Sequence, residues 1–357
     1  MHIGIIGLPA SGKTTVFQTM TQSDGSGSRA SGKADMRIVT VPDARLQVLT
    51  DMYHPKKTTP ATIEFVDPLI VGQSGLQYVE SLIPLMRDAD ALAHVVRAFD
   101  NPAVPHADGD VSPVRDFDRL NNELLLADLA VIEKRLERLA KDIKKIKDPE
   151  LASEYALLQR CQASLEEARP LRRLQLTDAE HKRLRGFGLL SNKPQLVVLN
   201  LDETAIDSEG EQLAQFTAHL DDPELEVIPM YGSIESEIAQ LDADEAQAFL
   251  DDLGLPQTGL SRFIRASYHL LNLCSFFTAG DPEVRAWTIK QGTSAQQAAG
   301  VIHSDLARGF IRAEVTHYDD LIACGSTAKA RDAGKLRLEG KEYPVQDGDV
   351  MLIRFNV

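Results

Sequence analysis

Near the start of the chain the stretch GLPASGKT places Gly7, Gly12, Lys13 and Thr14 in the spacing G-x-x-x-x-G-K-[ST]. Residue types in this order suit one chemistry, the capture of a phosphate chain. Glycines let main-chain N–H groups close around phosphate oxygens, a lysine sets a point charge on the β and γ phosphates, and a threonine hydroxyl ligates Mg²⁺. The expected cradle is Gly7, Pro9, Ala10, Ser11, Gly12, Lys13, Thr14 and Thr15, with Thr14 as a metal ligand. A glycine turn without a ligand is the competing reading. The apolar run HIGII before the loop and the helical pattern after it argue against that, because strand, loop and helix in this order are the context the motif requires.

A mostly parallel sheet with crossover helices must position such a loop. Residues 2 to 100 alternate short β-rich runs (HIGIIG, RIVTV, TIEFVD, ALAHVVRAF) with helical stretches, and QLVVLNL and LEVIPMY resume the pattern later. Between them the period changes. Leu125, Leu129, Ile132, Leu136, Leu139, Ile143 and Ile146 alternate spacings of four and three, which is a coiled-coil seam. After Pro149 a second stripe runs through Leu151, Tyr155, Leu158, Leu165 and Ala168, so an antiparallel helical arm inserted into the sheet domain is expected. The expected organisation is 1–120 and 191–275 for the two parts of the nucleotide-binding domain, 121–190 for the arm and 276–357 for a small α+β module.

Composition bounds the function. The chain has 357 residues, 43% of them hydrophobic and 25% charged, as in an ordinary globular protein. Its net charge of -15 excludes a protein that coats nucleic acid or anionic lipid over its whole surface. The N-terminal sequence shows no cationic leader, and no long apolar stretch occurs, so a cytoplasmic protein without a membrane partner is expected. Cys161, Cys274 and Cys324 show no metal-ligand spacing and read as free thiols. His94 and His303 read as packed or surface histidines.

The stretches VPDARLQVLTDMYHPKKTTPATIEFVDP, RDADALAHVVRAFDNPAVPH, NNELLLADLAVIEKRLERLAK and EVRAWTIKQGTSAQQAAGVIHSDLARGFIRAEVTHYDDLIACG resemble the YchF family, the Obg-like ATPases, over nearly the whole chain. The resemblance implies an α/β P-loop NTPase fold of GTPase type, an inserted coiled-coil hairpin and a C-terminal, β-grasp-like TGS domain. It also implies binding of ATP or GTP with Mg²⁺, slow hydrolysis, ATP often preferred, and association with ribosomes.

Base selection follows from the same comparison. GTPases commonly end a strand in N-K-x-D, whose Asp accepts two hydrogen bonds from guanine, whereas this sequence has NLDE, with Asn200, Leu201 in place of Lys and Glu203 in place of Asp. One extra methylene displaces the carboxylate, and a site that loses hydrogen bonds to a polar edge loses selectivity steeply. Two readings of Asn200 and Glu203 stand at this point, base contacts or the start of a surface turn. Tyr231, Gly232 and Ser233 occupy the segment that supports the base in the family, with Tyr231 and Gly232 replacing a Ser-Ala pair.

The hydrolytic apparatus departs further. Asp67 is present to hold the Mg²⁺ shell, but Ile70 stands where the glycine of D-x-x-G belongs, and Gln73 after Gly72 is too far from Asp67 for a water-orienting role. The first switch is replaced by a Gly/Ser-rich stretch containing Ser23, Ser26, Ser28 and Ser31. No catalytic residue is assigned, and hydrolysis is expected to be slow at most. The arm, with 14 Lys and Arg against 12 Asp and Glu over 121–190, is the least acidic part and suits RNA phosphates as well as it suits a solvated face; ribosome or RNA contact through the arm and TGS domain is the expectation. A nucleotide-bound scaffold that does not cycle is the alternative function, and a P-loop kinase a weaker one, since only Arg29 is available to a lid.

Overall fold

The computed structural model describes residues 1–21, 35–68, 70, 75–106, 108–146, 148–220, 222 and 225–356, without the side chains of Leu76 and Ala243. The Gly/Ser-rich stretch 22–34, with Ser23, Ser26, Ser28, Arg29 and Ser31, and the pair Gly72 and Gln73 lie outside the described residues.

In chain order the elements are β1 (His2–Ile6), α1 (Lys13–Thr21), β2 (Asp35–Thr40), α2 (Ala44–Tyr53), β3 (Thr58–Thr59), β4 (Thr62–Asp67), α3 (Gly75–Met86), β5 (Ala91–Ala98), α4 (Pro113–Lys145), α5 (Pro149–Glu166), α6 (Asp178–Leu184), β6 (Gln195–Leu201), α7 (Glu209–Thr217), β7 (Glu226–Met230), α8 (Gly232–Ile238), α9 (Ala243–Asp252) and α10 (Gly259–Leu270). They continue with β8 (Leu273–Ala279), β9 (Val284–Lys290), α11 (Ala295–Ile302), α12 (Ser304–Arg308), β10 (Phe310–His317), α13 (Tyr318–Cys324), α14 (Thr327–Asp332), β11 (Arg337–Glu339) and β12 (Asp349–Phe355). Two compact units divide the chain: Met1–Ile38 with Glu64–Ala266, and Val39–Ile63 with Ser267–Val357.

The first unit holds a sheet in the order β2-β4-β1-β5-β6-β7. β4, β1, β5, β6 and β7 pair in parallel, the topology of a P-loop NTPase sheet. β5 and β6 are buried at almost every residue, which is why they read in the sequence as unbroken apolar runs. Ile6 and Val66 of the sheet bury with Tyr78, Leu82 and Met86 of α3 and Leu120 and Leu124 of α4. A second cluster joins Val197 and Leu199 to Phe216, Tyr231, Ile234 and Leu250.

α4 begins at Pro113, a residue suited to a first helical position because its missing N–H has no partner to lose there, and its first turns bury Phe117, Leu120 and Leu124 before the seam starts. Leu125, Ile132, Leu136 and Leu139 then bury against Leu157, Leu158, Cys161 and Leu165 of α5, with Leu129, Ile143, Leu151 and Tyr155 half-buried. Arg135 on α4 donates to both carboxylate oxygens of Glu154 at 2.7 and 2.9 Å. Two ends of the expected pattern differ. Ile146 follows the helix in extended backbone and is 59% exposed, and Ala168 lies past the end of α5 at φ 55°. Both belong to the turns that close the helices, where apolar spacing no longer reports burial.

The second unit holds a mixed sheet in the order β11-β10-β12-β8-β9-β3. β8 and β9 form an antiparallel pair, β12 joins β8 in parallel, and β10 runs antiparallel to β12 and β11. Ala295, Ala298 and Ala299 of α11 bury with Phe276, Ile289, Val315 and Met351 of the sheet. β3 adds the early segment to this sheet, pairing Thr58 with Val284, and Arg45 of α2 is held by Asp43 and Asp347 with its guanidinium 5.1 Å from the Phe277 ring centre. Among the described residues no helix is long and apolar enough to cross a membrane.

Candidate nucleotide site

Parallel strands end together. The C-terminal ends of β1, β5, β6 and β7 open onto one cavity of about 460 Å³ in the first unit, where ligands of open α/β sheets bind. Ala10, Gly12, Lys13, Thr14 and Thr15 line it after β1, Phe99, Asp100, Asn101 and Val104 after β5, Asn200, Leu201 and Asp202 at the end of β6, and Gly232 and Ser233 after β7.

The loop after β1 has the backbone that a phosphate cradle needs. Ala10 and Gly12 take positive φ of 62° and 87°, and Ser11 N–H donates to Leu8 O at 3.3 Å, so the chain doubles back before α1 opens at Lys13. The helix N-terminus leaves main-chain N–H groups and partial positive charge facing the cavity. Lys13 Nζ donates to Leu8 O at 3.4 Å and stands 5.9 Å from the centre of the Tyr78 ring. Burial pushes the Lys13 ammonium below the usual lysine range, and the Asp67 carboxylate acts against that shift. Asp67 is fully buried at the end of β4, while Thr14 lines the cavity. The Ser11 hydroxyl is buried and has no hydrogen-bond partner among the described residues.

Asn200 joins the cradle to the far wall. Its Nδ2 donates to Ser11 O at 3.1 Å, and its Oδ1 accepts from Gly232 N–H at 3.1 Å. Close packing fixes both glycines, since a Cβ on Gly12 would lie 2.2 Å from Asn200 Nδ2 and one on Gly232 would lie 3.1 Å from Asn200 Oδ1. Glu203 is exposed and absent from the cavity wall; its neighbour Asp202 lines the wall and spends Oδ1 on Thr204 N–H and Oγ1, at 3.0 and 2.8 Å, to cap the short helix that follows. Tyr231 is fully buried behind Gly232, and its hydroxyl donates to Glu209 at 2.8 Å. Arg262 donates to the same Glu209 oxygen at 2.9 Å. Pro9 is exposed and lies outside the wall.

Sequence reasoning passed over the wall after β5. Arg97, 2% exposed, donates to Phe99 O at 3.1 Å and Val104 O at 2.7 Å and lies 4.6 Å from the Phe99 ring centre, so the last residues of β5 shape the loop that follows. Further along, His106 accepts from Asp108 N–H at Nδ1 and donates from Nε2 to Asp116 of α4 at 2.8 Å. His106, Asp108 and Asp116 come close enough to hold a cation, but Arg115 and Arg119 already answer the two carboxylates. The signal for this wall was a charged Arg inside an apolar strand, which demands carbonyl partners at the strand end.

The remaining candidates sit in the packing. His94 is buried, stacked on Phe117 at 5.3 Å and bonded to Gln195 at 3.1 Å, and burial drives its imidazole down to about 3, so it stays neutral. Cys161 and Cys274 are buried thiols pushed up to about 11 by burial, and Cys324 is half-buried; all three are free.

Comparison with known proteins covers the whole chain. A family model named YchF-GTPase_C, described as "Protein of unknown function (DUF933)", matches residues 273–356. The chain is 44% identical over 362 residues to the Bacillus subtilis (strain 168) protein named ribosome-binding ATPase YchF, covering 99% of each. It is 39% identical over 365 residues to the protein of the same name from Escherichia coli O157:H7, again over 99% of each. The solved structure of the Schizosaccharomyces pombe YchF GTPase matches with a TM-score of 0.86 at 31% identity, over 99% of this chain and 97% of that one. With a full-length match in sequence and in fold, the chain belongs to the YchF family.

Proposed function

We propose that this chain binds ATP in preference to GTP in the cavity at the ends of β1, β5, β6 and β7, hydrolyses it slowly, and lets the bound state set its association with the ribosome. One observation carries the reading: Lys13, the α1 N-terminus and the positive-φ loop face the same cavity as Asn200, Leu201 and Gly232, so phosphate and base ends are built together. Relatives that are 44% and 39% identical over 99% of the chain are named ribosome-binding ATPases, which supports carrying both properties across.

The β6 end favours adenine. Guanine recognition needs a carboxylate free to accept twice, and Asp202 is engaged in its cap while Glu203 faces solvent. Leu201 offers an apolar wall, and main-chain carbonyls suffice for an exocyclic amine. Thr14 and Asp67 would hold a Mg²⁺ ion, which would supply positive charge to the bound phosphates. Slow hydrolysis fits Ile70, which is packed against the cluster of Ile6, Val66 and Tyr78 where a mobile glycine would let the main chain close on the γ-phosphate.

Two assays test this together. Steady-state ATP turnover should fall well below about 10 s⁻¹, the enzyme median, and ribosome pelleting should differ between ATP-analogue and ADP states, because a ligand shifts a two-state equilibrium only through differential affinity. Turnover at the median rate, or pelleting identical in both states, overturns the regulatory reading.

A further inference from the structure

Tyr78 of α3 is 1% exposed and packs with Ile6, Val66, Leu82 and Met86, in a cluster that Ile70 also joins. Its hydroxyl, the single hydroxyl of that cluster, has no hydrogen-bond partner among the described residues. The Gly7 N–H is near enough to act on it, but an N–H only donates, so the phenol proton still lacks an acceptor. Burial pushes the phenol above its usual range, the Gly7 N–H opposes that shift, and the Asp67 and Glu123 carboxylates add to it, so the group keeps its proton at neutral pH.

Packing alone does not account for the hydroxyl. Phenylalanine has the same ring and would fill the same apolar space without leaving a buried donor unpaired. Position narrows the role. Lys13 Nζ stands 5.9 Å from the centre of the Tyr78 ring, and the Asp67 carboxylate acts on both the ammonium and the phenol. In a P-loop the main-chain N–H groups cradle the α and β phosphates while the lysine reaches the β and γ phosphates. Tyr78 is therefore beside the groups that serve the terminal phosphate, and it sits on the helix that follows Asp67 and Ile70 in the chain. That end of the site lacks the main-chain donor that a mobile glycine would bring, because Ile70 is packed in the same cluster as Tyr78. Phosphate oxygens only accept, which is what the phenol proton requires.

We propose that the Tyr78 hydroxyl donates to the terminal phosphate of a bound nucleoside triphosphate and so distinguishes the triphosphate from the diphosphate, an inference that rests on the nucleotide reading above. ATP then meets a donor that ADP cannot use. Packing on the ring already holds the side chain, so little ordering cost falls on binding. A ligand shifts a two-state equilibrium only through differential affinity, and this bond gives the two nucleotide states such a difference. Hydrolysis removes the acceptor, and the hydroxyl returns to its unpaired state. An ordered water on the hydroxyl is the competing reading; it would make Tyr78 part of the packing and indifferent to which nucleotide is bound.

The test is titration calorimetry, with Mg²⁺, of a non-hydrolysable ATP analogue and of ADP into the nucleotide-free full-length wild type and Tyr78→Phe, together with urea unfolding of both free proteins. Tyr78→Phe should bind the analogue about 10- to 100-fold more weakly, the worth of a hydrogen bond to a charged acceptor, and should bind ADP within about twofold of wild type. Its urea midpoint without nucleotide should equal or exceed that of the wild type, since the deleted hydroxyl has no bond to lose in the free protein. Equal weakening of both nucleotides overturns the proposal and leaves Tyr78 as a support for Lys13 and its loop. Unchanged affinity for both overturns it too, and a lowered urea midpoint alongside would assign the hydroxyl to a bound water. If the wild type binds neither nucleotide, the nucleotide reading itself fails and takes the proposal with it, whereas the preceding outcomes leave that reading standing.

Discussion

Asn200→Ala isolates the join between the phosphate cradle and the α8 end of the cavity. The substitution removes two hydrogen bonds of 3.1 Å and leaves Ser11 C=O and Gly232 N–H buried without their partner. A neutral bond contributes about 1 kcal/mol, and stranding a buried polar group costs about 1–3 kcal/mol, so the folded state should lose about 2–4 kcal/mol. ATP must then reorder the loop itself; if half the loss is drawn from binding, affinity falls roughly tenfold. Urea unfolding reads the first number and titration calorimetry the second. Inorganic triphosphate serves as the second ligand. A residue that holds the cradle should weaken ATP and triphosphate by the same factor, whereas a residue that contacts the purine should weaken ATP alone. Stability within about 0.5 kcal/mol of wild type, the range of an ordinary surface substitution, or a loss confined to ATP, would refute the joining role.

Three more consequences follow from the packing. His94 has an imidazole driven down to about 3 from an ordinary 6.5, so the unfolded chain binds the proton first and stability is lost as pH falls below 6.5; at pH 5 the loss is about 2 kcal/mol. His94→Phe should remove that increment in unfolding titrations at pH 7 and 5, even though Asp128, raised to about 6 by burial, gains stability over the same interval. Arg97→Leu frees Phe99 O and Val104 O, and should raise the Kd for ATP by about tenfold and lower stability by about 2 kcal/mol, read by titration and urea unfolding. Leu158→Ala in the arm seam should cost about 2–5 kcal/mol of stability with ATP affinity unchanged, since Leu158 packs among the seam residues and is absent from the cavity wall.

Features carried by contiguous residues were legible in advance, because local spacing determines them. The glycine loop before Lys13 follows from its motif, β5 and β6 from unbroken apolar runs, and the Leu125 to Leu139 seam from a period of 3.5 residues. Features that depend on which strands become neighbours were not. Phe99 to Val104 face the cradle because β5 pairs with β1, an order that hydropathy does not encode. Asn200 was read for its chemistry toward a base, yet its geometry is set by Ser11, 189 positions away in the chain. Tyr231 is buried because Glu209 and Arg262, from α7 and α10, give its hydroxyl and ring a polar setting inside the fold. The joining of α2 and β3 to the second unit rests on pairings such as Thr58 with Val284, which no local pattern announces.

Titration calorimetry of ATP and GTP, with Mg²⁺, into nucleotide-free wild type and Lys13→Ala addresses the site most directly. ATP should bind more tightly than GTP, and Lys13→Ala should weaken ATP by about 10- to 100-fold, the worth of a charge-assisted bond to phosphate. GTP binding as tight as ATP would contradict the reading of Asp202 and Glu203, and wild-type affinity in Lys13→Ala would contradict the nucleotide site itself.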